Sequence, residues 1–153
     1  MNSLRGKIAI VGAADTEVGV IPNLSATELC VKAANLALKD AGISKDQVDG
    51  LITCNSMAEP YMFHAEAFAE YMQIFPKYCM AVATGGGSTF SILHHAATAI
   101  ATGVCNTVLI TMADSLRSGL SRDQAMAMQS ATGHPQFETP YGLTVPAYYA
   151  LIA

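Results

Sequence analysis

The chain has 153 residues, 52% of them hydrophobic and only 13% charged, with a formal net charge of −4. That is ample material for one core, since a domain of this size buries about 70% of its unfolded surface. The acids are scattered and the few Lys and Arg residues form no stripe or run, which excludes the electrostatic footprint of a nucleic-acid binder.

The opening stretch, Met1 to Gly12, carries Arg5 and Lys7 ahead of an apolar run too brief for a signal peptide or a membrane span. Within it, Lys7-Ile-Ala-Ile-Val11 is a β-branched run closed by Gly12 and predicts a buried strand. After a loop to Asn23, Ser25-Ala-Thr-Glu28 fits a capping box, in which the serine hydroxyl takes an orphan N–H and the glutamate reaches back to the cap. Leu29, Ala33, Leu36, Ala37 and Leu38 follow at helical spacing, and Gly42 supplies the stop. Val48 to Cys54 predicts a second strand, His64 to Met72 a second helix, and Tyr78 to Ala83 a third strand. That third strand is apolar on both faces, which places it at the centre of a covered parallel sheet.

Ser88 to Thr102 is rich in small residues and predicts a buried helix ending at Gly103, ahead of a fourth strand, Thr107 to Thr111. Strands alternating with helices define an α/β fold with a mostly parallel sheet covered by helices. This core runs over residues 1–114. Periodicity then fades into a polar, Met-rich excursion over 115–146, the kind of long loop that is usually functional or mobile. Ala147 to Ala153 opens an apolar helix with no cap and no polar finish, so the expectation is a helix cut short.

The candidate site is the triplet Gly85, Gly86 and Gly87 with Ser88, between a strand and a helix. In an open α/β sheet, ligands bind beyond the carboxyl ends of strands, and the N–H groups of a helix start attract an anion or a developing oxyanion. Glycines let the backbone approach such a ligand; equally, they make a tight strand-to-helix turn. No Gly-Lys-Ser/Thr follows and the spacing is not GxGxxG, which excludes a P-loop and a dinucleotide fingerprint. Ser88 has two possible roles, capping the helix or donating to an oxyanion, with capping the stronger.

The four cysteines, Cys30, Cys54, Cys79 and Cys105, form no CxxC pair and stand with no His at zinc-ligand spacing, so no metal site is expected. They read as small buried thiols of a reduced, cytoplasmic protein. His94 and His95 lie mid-helix, so at most one faces the core. Met57, Met62, Met72, Met126 and Met128 either line a pliable pocket or fill core gaps. Asp114, His134 and Glu138 are polar loop residues with no pairing pattern.

Several of these segments together resemble a known family. Ala9 to Thr16, the Ser25 to Gly42 helix and Val48 to Thr53 resemble the opening of thiolases of the sterol-carrier-protein type. Gly87 to Gly103 is similar to their nucleophile helix, and Phe137-Glu-Thr-Pro-Tyr-Gly-Leu-Thr-Val-Pro146 to a segment of the same branch. The resemblance implies the N-terminal half of a thiolase-like fold. It also implies lipid-metabolic chemistry on acyl-CoA thioesters, of the acyltransferase kind that includes acetyl-CoA acetyltransferases, with coenzyme A thioester as substrate and no other cofactor. The family's nucleophilic cysteine falls at Gly86, with Thr84 the position if the register shifts by two. Glycine cannot be acylated, which argues against thiolysis.

The pattern resembles that of some thiolase-like proteins that also carry glycines here and act as retro-aldolases on steroid side-chain acyl-CoA thioesters, typically with a partner bearing an OB-fold and a zinc ribbon. The resemblance further implies a homodimer formed through the strand before the nucleophile turn or its neighbour. Three readings stay open at this level: an acyl-CoA carbon–carbon lyase or acyltransferase, a non-catalytic acyl-CoA or lipid binder, and a structural subunit of a larger complex.

Overall fold

The computed structural model describes residues 4–153; Met1 to Ser3 of the opening stretch lie outside the described residues. Its centre is a three-stranded parallel sheet of β1 (Gly50–Cys54), β2 (Tyr78–Val82) and β3 (Val108–Thr111), in the order β2-β1-β3. Helices α1 (Ala26–Ala41) and α2 (His64–Met72) cover one face and α3 (Ser88–Ala101) covers the other. The alternation of strand side chains divides the core between these faces. Leu51 and Leu109 point to α1 and α2, where Cys30, Ala34, Leu38, Phe68, Ala69 and Met72 close over them. Ile52 and Val82 point to Ile92 and Ala96 of α3.

Helix α1 starts and stops where its caps dictate. Ser25 Oγ accepts from the Glu28 N–H at 3.1 Å, Glu28 Oε2 accepts from the Ser25 N–H at 2.8 Å, and Gly42 ends the helix at φ 66°. Its core stripe is Cys30, Ala34 and Leu38, one residue every four, while Leu36 is exposed. Helix α2 spans His64–Met72 as its pattern predicts.

Two expectations about strands are corrected. Tyr78–Val82 is an edge strand; β1, buried along nearly its whole length, is the central one. Apolar residues on both faces report helices above and below, whereas centre or edge is a matter of ladder partners that composition does not encode. Lys7 to Val11 runs without a ladder, leaving Ile10 and Val11 exposed. A β-branched run favours extended backbone, but a strand also needs a neighbour. The segment is held instead at Gly12, where a Cβ would stand 2.5 Å from the Ala37 carbonyl oxygen, and by the Ala13 N–H donating to Asp40 Oδ2 at 3.0 Å.

Helix α3 is buried on one side only: Ile92, Ala96 and Ala99 are covered, while Phe90 is 78% exposed. Within residues 115–146, where fading periodicity predicts loop, two short helices stand, α4 (Leu116–Gly119) and α5 (Arg122–Ser130). The second carries its own capping box from Ser121 and Gln124. The last helix, α6 (Val145–Ile152), begins two residues before the predicted start, with Pro146 in its first turn, where the missing N–H costs nothing. Among the described residues no helix is long and apolar enough to cross a membrane. Because Phe68 is 2% exposed beneath β1, Phe68→Ala is expected to cost about 3–5 kcal/mol, measured by urea unfolding.

Candidate functional site

Parallel pairing sets Cys54 beside Val82 and Thr53 beside Thr111, so the three strands end at one level and their following loops emerge together. From β2 the chain passes through Ala83 and Thr84 into a tight 3-10 turn, Gly85–Gly87, and then into α3. Gly85 sits at φ 60°, the left-handed region that glycine enters without a Cβ penalty. Ala83 to Gly87 are all exposed, whereas Ser88 is buried.

Ser88 is the first residue of α3 and its hydroxyl turns backward: Oγ accepts from the Thr84 N–H at 3.0 Å and lies 3.3 Å from Thr84 Oγ1. The helix has no side-chain cap. The serine therefore fastens the glycine turn rather than capping α3 as predicted. What remains directed at the open edge is a helix start.

The loops after β1 and β3 are joined by Asp114. Its Oδ1 accepts from Ser56 Oγ at 3.0 Å, from the Ala58 N–H at 3.1 Å and from the Ser115 N–H at 2.9 Å; its Oδ2 accepts from the Met57 N–H at 2.7 Å. Glu59, at the end of the same loop, reaches the start of α1, where it accepts from the N–H groups of Ala26 and Thr27 and from Thr27 Oγ1 at 3.0–3.1 Å. A carboxylate at a helix N-terminus meets both orphan donors and the positive end of the dipole. Ser56, 4% exposed, links the two acids by donating to Asp114 and accepting from the Glu59 N–H at 3.0 Å.

His64 opens α2 behind this network. It is 4% exposed, both ring nitrogens lack a hydrogen-bond partner among the described residues, and the Tyr61 ring lies 6.0 Å away. Burial lowers its pKa below the usual histidine range; the charges of Asp114 and Glu59 pull the other way without reversing the shift. It is neutral at pH 7.

The remaining residues singled out in the sequence do not converge on the turn. His94 is exposed and His95 half-buried on α3. Met72 is core, Met62 and Met126 are exposed on other elements, and Met57 and Met128 are half-buried. His134 stacks on Phe137 at 4.8 Å and its N–H donates to Glu138, a pairing confined to the excursion. All four cysteines are free thiols. Cys79 lies on the α1–α2 side of β2, away from α3. Cys54 Sγ touches Met112 Sδ at 3.3 Å across the ends of β1 and β3. Among the described residues no cluster of His, Cys, Asp and Glu could hold a metal ion.

The pattern that describes the family "Thiolase, N-terminal domain" matches residues 8–143. The chain belongs to that family. Among proteins of known activity, it is 34% identical over 151 residues to the 17-hydroxy-3-oxo-4-pregnene-20-carboxyl-CoA lyase of Mycobacterium tuberculosis, covering 94% of this chain and 38% of the lyase. It is 28% identical to a steroid side-chain-cleaving aldolase of Thermomonospora curvata, covering 97% of this chain and 39% of that protein. The solved Ltp2-ChsH2(DUF35) aldolase superposes with a TM-score of 0.72 at 28% identity, over 94% of this chain and 36% of that one. The chain thus spans well under half the length of the relatives it matches, and its fold is that of a thiolase-like N-terminal half.

Sequence reasoning set Asp114 aside and passed over Glu59 and His64. The available signal was chemical scarcity: in a chain with only 12 acids, one three residues past an apolar strand and one closing a loop invite a structural partner. The depressed pKa of His64 has a consequence for stability. As pH falls below about 6.5, the unfolded state takes up a proton that the folded state refuses, so stability drops until the folded pKa is reached. Thermal unfolding at pH 7.5 and 5.5 should show a lower midpoint at the acidic value, and His64→Gln should shrink that difference. An acid-induced loss of the same size in the variant would assign it to other groups.

Proposed function

We propose that this chain is the N-terminal half of a thiolase-like carbon–carbon lyase that cleaves β-hydroxyacyl-CoA thioesters by a retro-aldol reaction. The observation that carries the reading is the Gly85–Gly87 turn at the start of α3, in a chain 34% identical to a steroid-CoA lyase: on our placement of the family nucleophile at Gly86, that position has no side chain. Thiolysis needs a thiolate that accepts the acyl group. A retro-aldol step does not. A base removes the β-hydroxyl proton, the Cα–Cβ bond breaks as the ketone forms at Cβ, and the bonding pair passes to Cα as a thioester enolate, which is then protonated at Cα. The only demand on the glycine turn is to place the thioester and stabilise the oxyanion with backbone N–H groups from Gly85 to Ser88. Base and proton donor would come from the second half of the protein.

The same reading makes the protein a cytoplasmic homodimer with no bound cofactor beyond the coenzyme A of its substrate. The unpaired outer edge of β2 supports the dimer, since an edge strand presents unpaired N–H and C=O groups to a second copy. The Ltp2-ChsH2(DUF35) aldolase supports a second protein as partner; that this partner bears an OB-fold and a zinc ribbon is what the resemblance to steroid side-chain aldolases implies.

The test is to incubate the full-length protein, with and without its partner, with 17-hydroxy-3-oxo-4-pregnene-20-carboxyl-CoA. The expected products are a steroid ketone and a shortened acyl-CoA thioester, with the intact mass of the protein unchanged. An acyl group found on Cys79 or Thr84 would overturn the placement of Gly86 and restore a covalent mechanism. Binding of the thioester without cleavage would favour a non-catalytic acyl-CoA carrier instead.

A further inference from the structure

Gly85 and Gly86 are glycines for different reasons. Gly85 has φ 60°, so the turn itself asks for glycine there. Gly86 is not among the positive-φ residues, and a Cβ built on it meets no atom within 4 Å among the described residues. Neither the backbone conformation nor the packing of these residues excludes a side chain, although glycine loses more backbone entropy on folding than alanine does. The neighbours repeat the pattern. A Cβ at Gly87 would meet only Thr84 Oγ1, at 4.0 Å, and Ala83 to Gly87 together form an exposed, nearly side-chain-free surface at the carboxyl edge of the sheet.

We infer that Gly86 is a specificity-determining residue: the volume its missing side chain leaves open is occupied by the bulk of the substrate's acyl group, a branched, ring-bearing chain carried close to the thioester. This rests on the proposed function and adds the reason for glycine over alanine at this point of the turn. A linear acyl chain presents hydrogens beside its thioester and tolerates a methyl on the protein side. A β-carbon bearing a hydroxyl and two ring bonds cannot back away from the backbone donors without losing them. Forcing an extra methyl into such a filled contact costs binding by about ten- to a hundredfold.

The experiment compares wild type, Gly85→Ala, Gly86→Ala and Gly86→Val in the full-length protein. Each is assayed for its thermal midpoint and for binding of two probes, acetyl-CoA and 17-hydroxy-3-oxo-4-pregnene-20-carboxyl-CoA. Gly86→Ala should melt at or above wild type and keep its acetyl-CoA affinity, yet bind the steroid thioester about ten- to a hundredfold more weakly, with Gly86→Val weaker still. Gly85→Ala should lower the midpoint, which separates the demand of the turn from the demand of the ligand. Unchanged steroid-thioester binding in Gly86→Ala overturns the inference while leaving the lyase reading intact. So does an equal loss of both probes with a lowered midpoint, which would mean that the second half of the protein fills the space. Wild type binding neither thioester overturns the lyase reading, and this inference with it.

Discussion

The structure depends on the burial of β1. Leu51, Ile52 and Thr53 have no exposed surface, because the strand is paired on both edges and covered on both faces. Parallel pairing at fixed register then decides where everything else emerges: Gly50 stands level with Tyr78 and Val108, so the loops after all three strands open at one edge. A slip of one residue in either pairing would turn Leu109 or Val82 away from its helix and place it on the opposite face. The glycine turn opens at the same edge as the loops of β1 and β3 as a consequence of this core.

Each end of the sheet is then fastened by a carboxylate that serves backbone rather than cations. At the amino end, Asp49 Oδ1 accepts from the N–H groups of Asn106 and Thr107, both at 2.8 Å, and the Thr107 bond is the main cause of its lowered pKa. At the carboxyl end, Asp114 does the corresponding work for the loop after β1, and Glu59 for the start of α1. These bonds join segments more than thirty residues apart, whereas the Lys32–Glu17 ion pair is solvent-exposed and of little weight, and Lys77 reaches Asp49 only at 3.8 Å from an exposed position. A chain so poor in charge spends its acids as caps, and that leaves His64 enclosed beside two carboxylates whose oxygens are already engaged.

What the sequence made legible was what local chemistry determines. Ser25 and Glu28 announced α1, Gly42 ended it, and alternating apolar and helical runs located β1, α2, β2, α3 and β3 almost to the residue. The glycine turn was readable for the same reason. Long-range facts were not. The order of strands depends on which edges pair, the Lys7 to Val11 run needs a neighbour that its own residues do not specify, and three of the partners of Asp114 lie 56–58 residues away. Helix α5 was a different kind of omission: Ser121-Arg-Asp-Gln124 is as good a capping box as the one that starts α1, but no apolar stripe follows it, because the helix buries no residue. The resemblance to thiolases supplied the family where periodicity supplied only α/β.

The thiols bear on whether a sulfur could act at the glycine turn. Burial raises the Cys30 thiol to about 11, eased only partly by its interaction with Thr111; burial also raises Cys79 and Cys105, with the charges of Glu66 and Asp49 adding to it. None of these three is a thiolate at neutral pH, and Cys79 points to the side of the sheet opposite α3. Cys54, nearest in register to the turn, rests its sulfur on Met112. Cys30, Cys79 and Cys105 therefore offer the turn no activated sulfur. What the described residues offer is backbone: a glycine turn fastened from behind by Ser88, on a strand locked to its neighbours, at the start of a 14-residue helix. Fixed dipoles of this kind suit chemistry in which negative charge appears on an oxygen and disappears again without a covalent bond to the protein, the course that a retro-aldol cleavage takes.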